Sequence, residues 1–269
     1  MIQPPRIGAG DFVAWEGGCL LIGQAYRATG VHSHYAIQLS FGGNDGIRFR
    51  PSEREEWTEY PGVVITSRQP HAMDATPVSP SATFLIETET PAGRALAARF
   101  SREGISSVPR ADFADAATRL FDTWKQHGYS DETRNAALQA VSAVARVSAT
   151  TTVSDERVIR AIAYINAHLS GSLTLPEVAG QAFLSPSRFR HLFVDQTGTA
   201  LRPYVLWRRF LRAWELIRAG DPISTAAHEA GFADAAHLTR TANRMFGFAP
   251  SALIVTGLQA SQKSLSVQA

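Results

Sequence analysis

The sequence predicts an α+β chain of two domains, a sandwich or barrel of short β-strands followed by an all-α domain with two helix–turn–helix units. Three observations predict it. The first hundred residues break short apolar runs with closely spaced turn signals. The apolar period changes to that of helices beyond about residue 112. The last hundred residues contain an internal repeat of short helix, tight turn and longer helix.

Taken in order, the turn signals are Gly17-Gly18, Gly42-Gly43-Asn44-Asp45-Gly46, Pro61-Gly62 and Pro77 to Pro80. Between them, Cys19–Ile22, Val63–Thr66 and Ala82–Ile86 are strand-length. His32, His34, Ala36, Gln38 and Ser40 alternate with Tyr35, Ile37, Leu39 and Phe41, which predicts a strand with one polar and one apolar face. Phe113, Ala116, Ala117, Leu120 and Trp124 form a helical stripe, with Asp112 as its cap and Gly128 after its end. A second helix is expected from Asp131 to about Val147, with Leu138, Val141 and Ala145 on one face. Residues 148–154 are small, polar and aperiodic, the best linker in the chain. Val158, Ile162, Ile165 and Leu169 then stripe one helix, with Ser154-Asp155 as its cap. Leu206, Phe210, Ala213, Trp214 and Ile217 stripe a longer one that stops at Gly220-Asp221-Pro222.

The expected organisation is a ligand-sensing domain over 1–100, a helical bridge and linker over 101–153, a helical domain over 154–256 and a frayed tail over 257–269. The two units fall at about 173–198 and 222–247. Ala179 matches Ala227 at an offset of 48; Phe189 matches Leu238 and Gly198 matches Gly247 at 49, so the second unit has one more residue in its turn. Ser185 and Asp234 are placed to cap each second helix, and Pro186 suits a first helical position. Such a helix fits a DNA major groove. Two units on a rigid helix of about 20 residues could reach successive grooves, roughly 34 Å apart.

Composition bounds the function. With 269 residues, 45% hydrophobic and 19% charged, the chain can bury a core. No run approaches the ~18 apolar residues of a membrane span, and Met1 to Arg6 lack the apolar core of a secretory signal. A single cysteine, Cys19, excludes an internal disulfide framework and a multi-cysteine zinc finger; it reads as a buried apolar residue. A cytoplasmic location is the resulting expectation, with no membrane partner. Residues 1–149 carry 14 Lys+Arg against 16 Asp+Glu, and residues 150–250 carry 11 against 8. Only Lys125 and Lys263 are lysines, so the cationic surface is guanidinium, which suits bidentate contact with phosphate or guanine. Glu53-Arg54-Glu55-Glu56 reads as a solvated turn.

The C-terminal hundred residues resemble the DNA-binding domain of the AraC/XylS family of bacterial transcription regulators. The resembling residues are Leu-Ser-Pro-Ser-Arg-Phe at 184–189, Leu192-Phe193, Gln196-Thr197-Gly198, Tyr204, Arg209, Ala213, Ala227, Gly231-Phe232, His237-Leu238-Thr239-Arg240, Phe246-Gly247 and Pro250. Ala226 stands where the family has Ile, and Ala242 where an aromatic packs. Helix geometry places Ser187, Arg190 and His191 on one face of the first recognition helix. The resemblance makes them base readers, with Arg190 suited to guanine and Arg188 to phosphate. In the second unit the matching residues are Ala236, Thr239 and Arg240, with His237 at the helix start. Two alanines in that region, Ala235 and Ala236, leave the first unit most of the sequence specificity.

The pattern His32-x-His34-x3-Gln38, with His71 later, resembles a cupin, with Gln38 where that family has Glu. Three readings of the polar face stay open: a solvated face, a pocket for a small polar effector, and a site for a divalent transition metal on His32, His34 and His71. The resulting expectation is a transcription regulator, activator or repressor, controlled by a small molecule or metal. Its expected partners are double-stranded DNA, an effector, a second copy of the chain and RNA polymerase. The alternative is a metal-dependent cupin enzyme with an accessory helical domain; Gln38 and the intact repeat argue against it. No Gly-rich phosphate loop or nucleophile elbow is present, so no catalytic residue is expected.

Overall fold

A computed structural model describes residues 6–43, 46–100, 104–147 and 155–255, of which residues 253–255 are described by backbone only. The chain opens with strands β1 (Gly8–Trp15), β2 (Gly18–Ala25), β3 (Ile37–Gly42), β4 (Ile47–Arg50), β5 (Thr58–Tyr60), β6 (Gly62–Ile65), β7 (Ala72–Asp74) and β8 (Ser81–Ile86). Helix α1 (Pro91–Arg99), strand β9 (Ile105–Ser107) and helices α2 (Ala114–His127) and α3 (Asp131–Ala145) complete the N-terminal half. The C-terminal half is α4 (Glu156–Ala167), α5 (Leu175–Gln181), α6 (Pro186–Thr197), α7 (Leu201–Ala219), α8 (Ile223–Glu229), α9 (Ala235–Phe246) and a last strand, β10 (Leu253–Val255).

The strands form two sheets, one in the order β10-β1-β2-β8-β3-β6-β9 and one in the order β5-β4-β7. All pairings are antiparallel except β1 with β10, which is parallel and sets Gly8 opposite Leu253. Val63 and Ile65 pack with Ile47, Phe49, Ala75 and Val78, while their neighbour Val64 faces the other way. That alternation is the two-sided strand expected of a sandwich.

The other face of the large sheet is covered by helices. Phe41 stacks on Phe113 at 4.8 Å and meets Phe121 edge-on at 6.1 Å. Ala116, Ala117, Leu120, Ala137, Val141 and Val144 share one buried cluster with Leu39, Val64 and Phe84. Helices α2 and α3 therefore form a layer of the N-terminal domain rather than a separate bridge over 101–153. Their turn does reach the C-terminal half, where the Arg218 guanidinium lies 4.1 Å over the Tyr129 ring.

Several local expectations change. Asp112 does not cap α2; Phe113 holds that position without a side-chain bond, and Asp112 is drawn away by Arg99 at 2.5 Å and Arg146 at 3.1 Å. Leu138 is exposed, and Ala137 and Val144 bury the face assigned to it. Helix α1 was not expected; Thr90 caps it by accepting from the Gly93 amide at 3.0 Å. The strand expected over His32–Phe41 begins only at Ile37. His32 Nδ1 and His34 Nδ1 bond to carbonyls two residues away, Gly30 and Ala36, and such local bonds compete with a ladder. The expected linker 148–154, Ser154 and the tail 257–269 lie outside the described residues.

Candidate nucleic-acid interface and the site behind it

Helix α5 starts with a capping box: Thr174 accepts from the Glu177 amide, and Glu177 accepts from the Thr174 amide, both at 3.4 Å. Ser185 caps α6 by accepting from the Arg188 amide at 3.4 Å, and Pro186 takes the first helical place. Phe189 and Phe193 point inward, Phe193 meeting the Tyr204 ring edge-on at 5.3 Å. Ser187, Arg188, Arg190 and His191 are all exposed at the N-terminal half of the helix. Nothing within the described chain covers this face, so its donors are available to a groove.

Helix α7 has 19 residues, a rod of about 28 Å, and carries the second unit. Asp234 caps α9 by accepting from the His237 amide at 2.6 Å. Leu238, Thr241, Ala242, Met245 and Phe246 are buried, and Phe246 stacks on Phe210 at 4.5 Å. The polar inventory outside is thinner than on α6. Thr239 donates its hydroxyl to the Ala235 carbonyl at 2.8 Å, and the His237 ring packs edge-on against Phe232 at 5.2 Å. Ala236 and Arg240 are exposed, and so is Asn243, which shares their side of the helix and which the sequence reading missed. Arg209, one of the resembling residues, is structural: it donates to the Leu169 and Gly171 carbonyls at 2.8 and 2.5 Å.

The N-terminal domain meets both units at the C-terminal ends of their recognition helices. At the end of α6, Tyr35 and Thr88 donate to the Thr197 carbonyl, and Arg68 donates to the Thr199 hydroxyl. The same Tyr35 hydroxyl also lies within hydrogen-bond reach of the Glu89 carboxyl. Burial and the adjacent Glu87 carboxylate push Glu89 up to about 7. Glu87 is itself buried and accepts from Trp207 at 3.1 Å and Arg208 at 2.5 Å. All of these contacts but Tyr35–Glu89 join residues more than a hundred positions apart, and no local pattern in the sequence announces them.

At the end of α9 the partners are different. The Gly30 amide donates to the Gly247 carbonyl, and the Ser33 amide to the Arg244 carbonyl, both at 3.3 Å. Gly247 takes the left-handed φ of 72°, and a Cβ there would lie 2.5 Å from the Gly30 carbonyl oxygen and 3.0 Å from His32 Nδ1. Only glycine fits that place.

His32, His34, Gln38 and His71, named as candidates from sequence, do come together. All four are buried, with exposures of 7, 4, 2 and 0%, so the solvated-face reading is overturned. The His32 and His71 rings are 4.3 Å apart and the His34 and His71 rings 5.3 Å apart. The three side chains offer nitrogens that all lie within 4.8 Å of one another. Burial holds the imidazoles neutral: His32 is pushed down to about 3, with the neighbouring His34 adding to the effect, and His34 and His71 are also lowered. An apolar cavity lies beside them, walled by Leu21, Leu85, Phe246 and Phe248, with His32, Gln38 and Thr83 on its polar side. Cys19 is buried, and burial pushes its thiol up, as fits an inert core residue.

Residues 178–254 match the family model described as a helix-turn-helix domain. The regulatory protein PocR of Salmonella typhimurium is 31% identical over 102 residues, 38% of this chain and 34% of PocR. The arabinose operon regulatory protein of Escherichia coli is 34% identical over 99 residues, 36% of this chain and 34% of that protein. The C-terminal domain is therefore similar to the helix-turn-helix domains of bacterial transcription regulators, the arabinose operon regulator among them. The match to these relatives spans about a third of their length. Likeness to ToxT of Vibrio cholerae reaches across both halves. An apo, singly substituted form of ToxT superposes with a TM-score of 0.59 at 9% identity, covering 89% of this chain and 97% of that one. ToxT bound to an unsaturated fatty acid gives 0.54 at 10% identity, covering 87% and 93%. At those identities the likeness shows the fold: a β-rich domain in front of an AraC/XylS-type helical domain. No helix among the described residues is long and apolar enough to cross a membrane.

Proposed function

We propose that the chain is a transcription regulator. It binds double-stranded DNA with α6 and α9 in successive major grooves and answers to a small molecule held in the N-terminal domain. The observation that carries this reading is the exposed face of α6. There Ser187, Arg190 and His191 project together from a capped helix whose opposite side is fixed by Phe189 and Phe193. Arg190 reads guanine, Arg188 and Arg240 hold phosphates, and α9 adds methyl and amide contacts through Ala236 and Asn243.

The effector belongs in the cavity next to the histidine cluster. Its walls are mostly apolar, and two of them, Phe246 and Phe248, come from the DNA-binding half. An occupant there touches both domains at once, so its binding energy can bias their arrangement. The unsaturated fatty acid bound to ToxT is a precedent for a largely apolar ligand in this fold. A homodimer and a contact with RNA polymerase belong to the same proposal.

The experiment is a DNA-binding titration against genomic fragments at two salt concentrations with excess random competitor. Competitor-resistant binding to a few fragments, weakening steeply with salt, is the expected result. Binding that competitor removes from every fragment would overturn the reading.

A further inference from the structure

Three imidazoles from two separate stretches of chain meet in a buried pocket, and their hydrogen bonds fix what each ring presents there. His32 Nδ1, His34 Nδ1 and His71 Nδ1 lie 2.9, 2.8 and 2.9 Å from the carbonyl oxygens of Gly30, Ala36 and Gln69. A carbonyl oxygen only accepts, so each Nδ1 carries the hydrogen. In a neutral ring Nε2 is then a bare lone pair. Fixing the tautomer through the far nitrogen in this way is how metal-ligating histidines are held.

Two of those lone pairs face a third acceptor. His34 Nε2 and His71 Nε2 lie 3.0 and 3.1 Å from Gln38 Oε1, while the amide nitrogen of Gln38 faces Ser40 Oγ at 3.0 Å. Neutral imidazole nitrogen against amide oxygen has no hydrogen to share. A cation between them turns that opposition into coordination. We propose that His32, His34, His71 and Gln38 hold a divalent first-row transition-metal ion, and that its occupancy is read at the end of α9.

The donor set, three imidazoles and one amide oxygen, suits zinc, nickel or cobalt rather than calcium or magnesium. With no carboxylate in it, the set holds a dication less tightly than one with Glu, which favours exchange over permanent retention. His32 and Gln38 also line the apolar cavity, so the ion has a side open to water or an effector's polar group.

The readout is the seam beside His32. The backbones of His32 and His71 exchange two hydrogen bonds of 2.9 Å, and the same segment is bonded to Arg244 and Gly247. The Phe246 ring lies 6.3 Å from that of His34. An ion that pulls His32 toward His71 therefore moves the backbone on which the last turn of α9 rests. This step rests on the regulator reading above; ion binding itself does not.

The test uses the purified full chain, stripped with EDTA and titrated with zinc(II) by calorimetry and elemental analysis. One zinc per chain is expected, with His34→Ala weakening it at least tenfold. Gln38→Glu separates this site from a metal-free one in which the amide is turned over and donates to both Nε2 atoms. With an ion present, Gln38→Glu should bind zinc at least tenfold more tightly and melt higher than wild type in zinc. In the metal-free arrangement it removes both donors, so it would melt lower than wild type with or without zinc. That result, or no stoichiometric zinc in the wild-type chain, overturns the site. Gel shifts of stripped and zinc-loaded protein test the coupling. A changed affinity for a two-groove fragment is expected, and stoichiometric zinc with unchanged affinity overturns that part. Zinc binding with no specific DNA binding in either form would sink the regulator reading and leave the metal site standing.

Discussion

Helix α6 ends on Gly198 and α9 on Gly247, both left-handed, and the N-terminal domain touches the chain beside each. What touches them differs. The end of α6 meets hydroxyl, phenol and guanidinium groups, Thr88, Tyr35 and Arg68, with the Glu89 carboxyl behind Tyr35. The end of α9 meets backbone amides and a histidine cluster. One domain therefore holds two repeats of the same motif by their C-terminal ends, through two unrelated chemistries. The N-terminal ends, where the candidate base readers sit, stay free. Duplicated units can thus share a scaffold and differ in what releases them.

The strongest break of this comparison falls on the α6 side. Arg208→Ala leaves Glu87 buried without its charge partner, a loss of about 3–5 kcal/mol, read as a lower urea midpoint. Unchanged stability would show that the seam carries no weight. Next comes base reading. Arg190→Ala should weaken specific binding by about 1–3 kcal/mol and relax one base position, while Arg240→Ala should weaken all sequences alike. Equal relaxation by both would make the two helices equivalent readers.

A pH series sharpens the contrast between the ends. Burial raises Glu89 above its ordinary 4.5 to about 7 in the folded chain, so folding favours its protonated form. Its contribution is complete below about pH 4.5 and is lost as pH rises through about 7. Thermal melts of Glu89→Gln against wild type should differ in slope across that window; parallel curves would remove Glu89 from the latch. The smallest effect is expected at Thr239. Its hydroxyl already bonds to Ala235, so Thr239→Ala should shift DNA affinity by less than about 0.5 kcal/mol.

The repeat was legible because its signals are local. Ser185, Asp234, Gly198 and Gly247 mark caps, and Phe189 and Leu238 fall on short-period stripes. The convergence of His32, His34 and Gln38 was legible from a short local pattern, but its burial was not, because the covering residues Phe246 and Gly247 lie about two hundred positions away. Glu87 with Arg208 and Tyr35 with Thr197 escaped for the same reason. Helix α1 was missed because a nine-residue helix with two buried residues, Gly93 and Leu96, leaves little apolar stripe to read.

The parallel pairing of β1 with β10 ties the first described strand to the last. The second unit is thus clasped from both sides, by α7 before it and by a sheet edge after it. Cutting the chain between the halves would uncover the outer ladder of β1 and set β10 loose with unpaired amides and carbonyls. Such an edge invites pairing with other chains. A fragment made to free the DNA-binding half would carry a new adhesive strand, and its behaviour would report on self-association as much as on release.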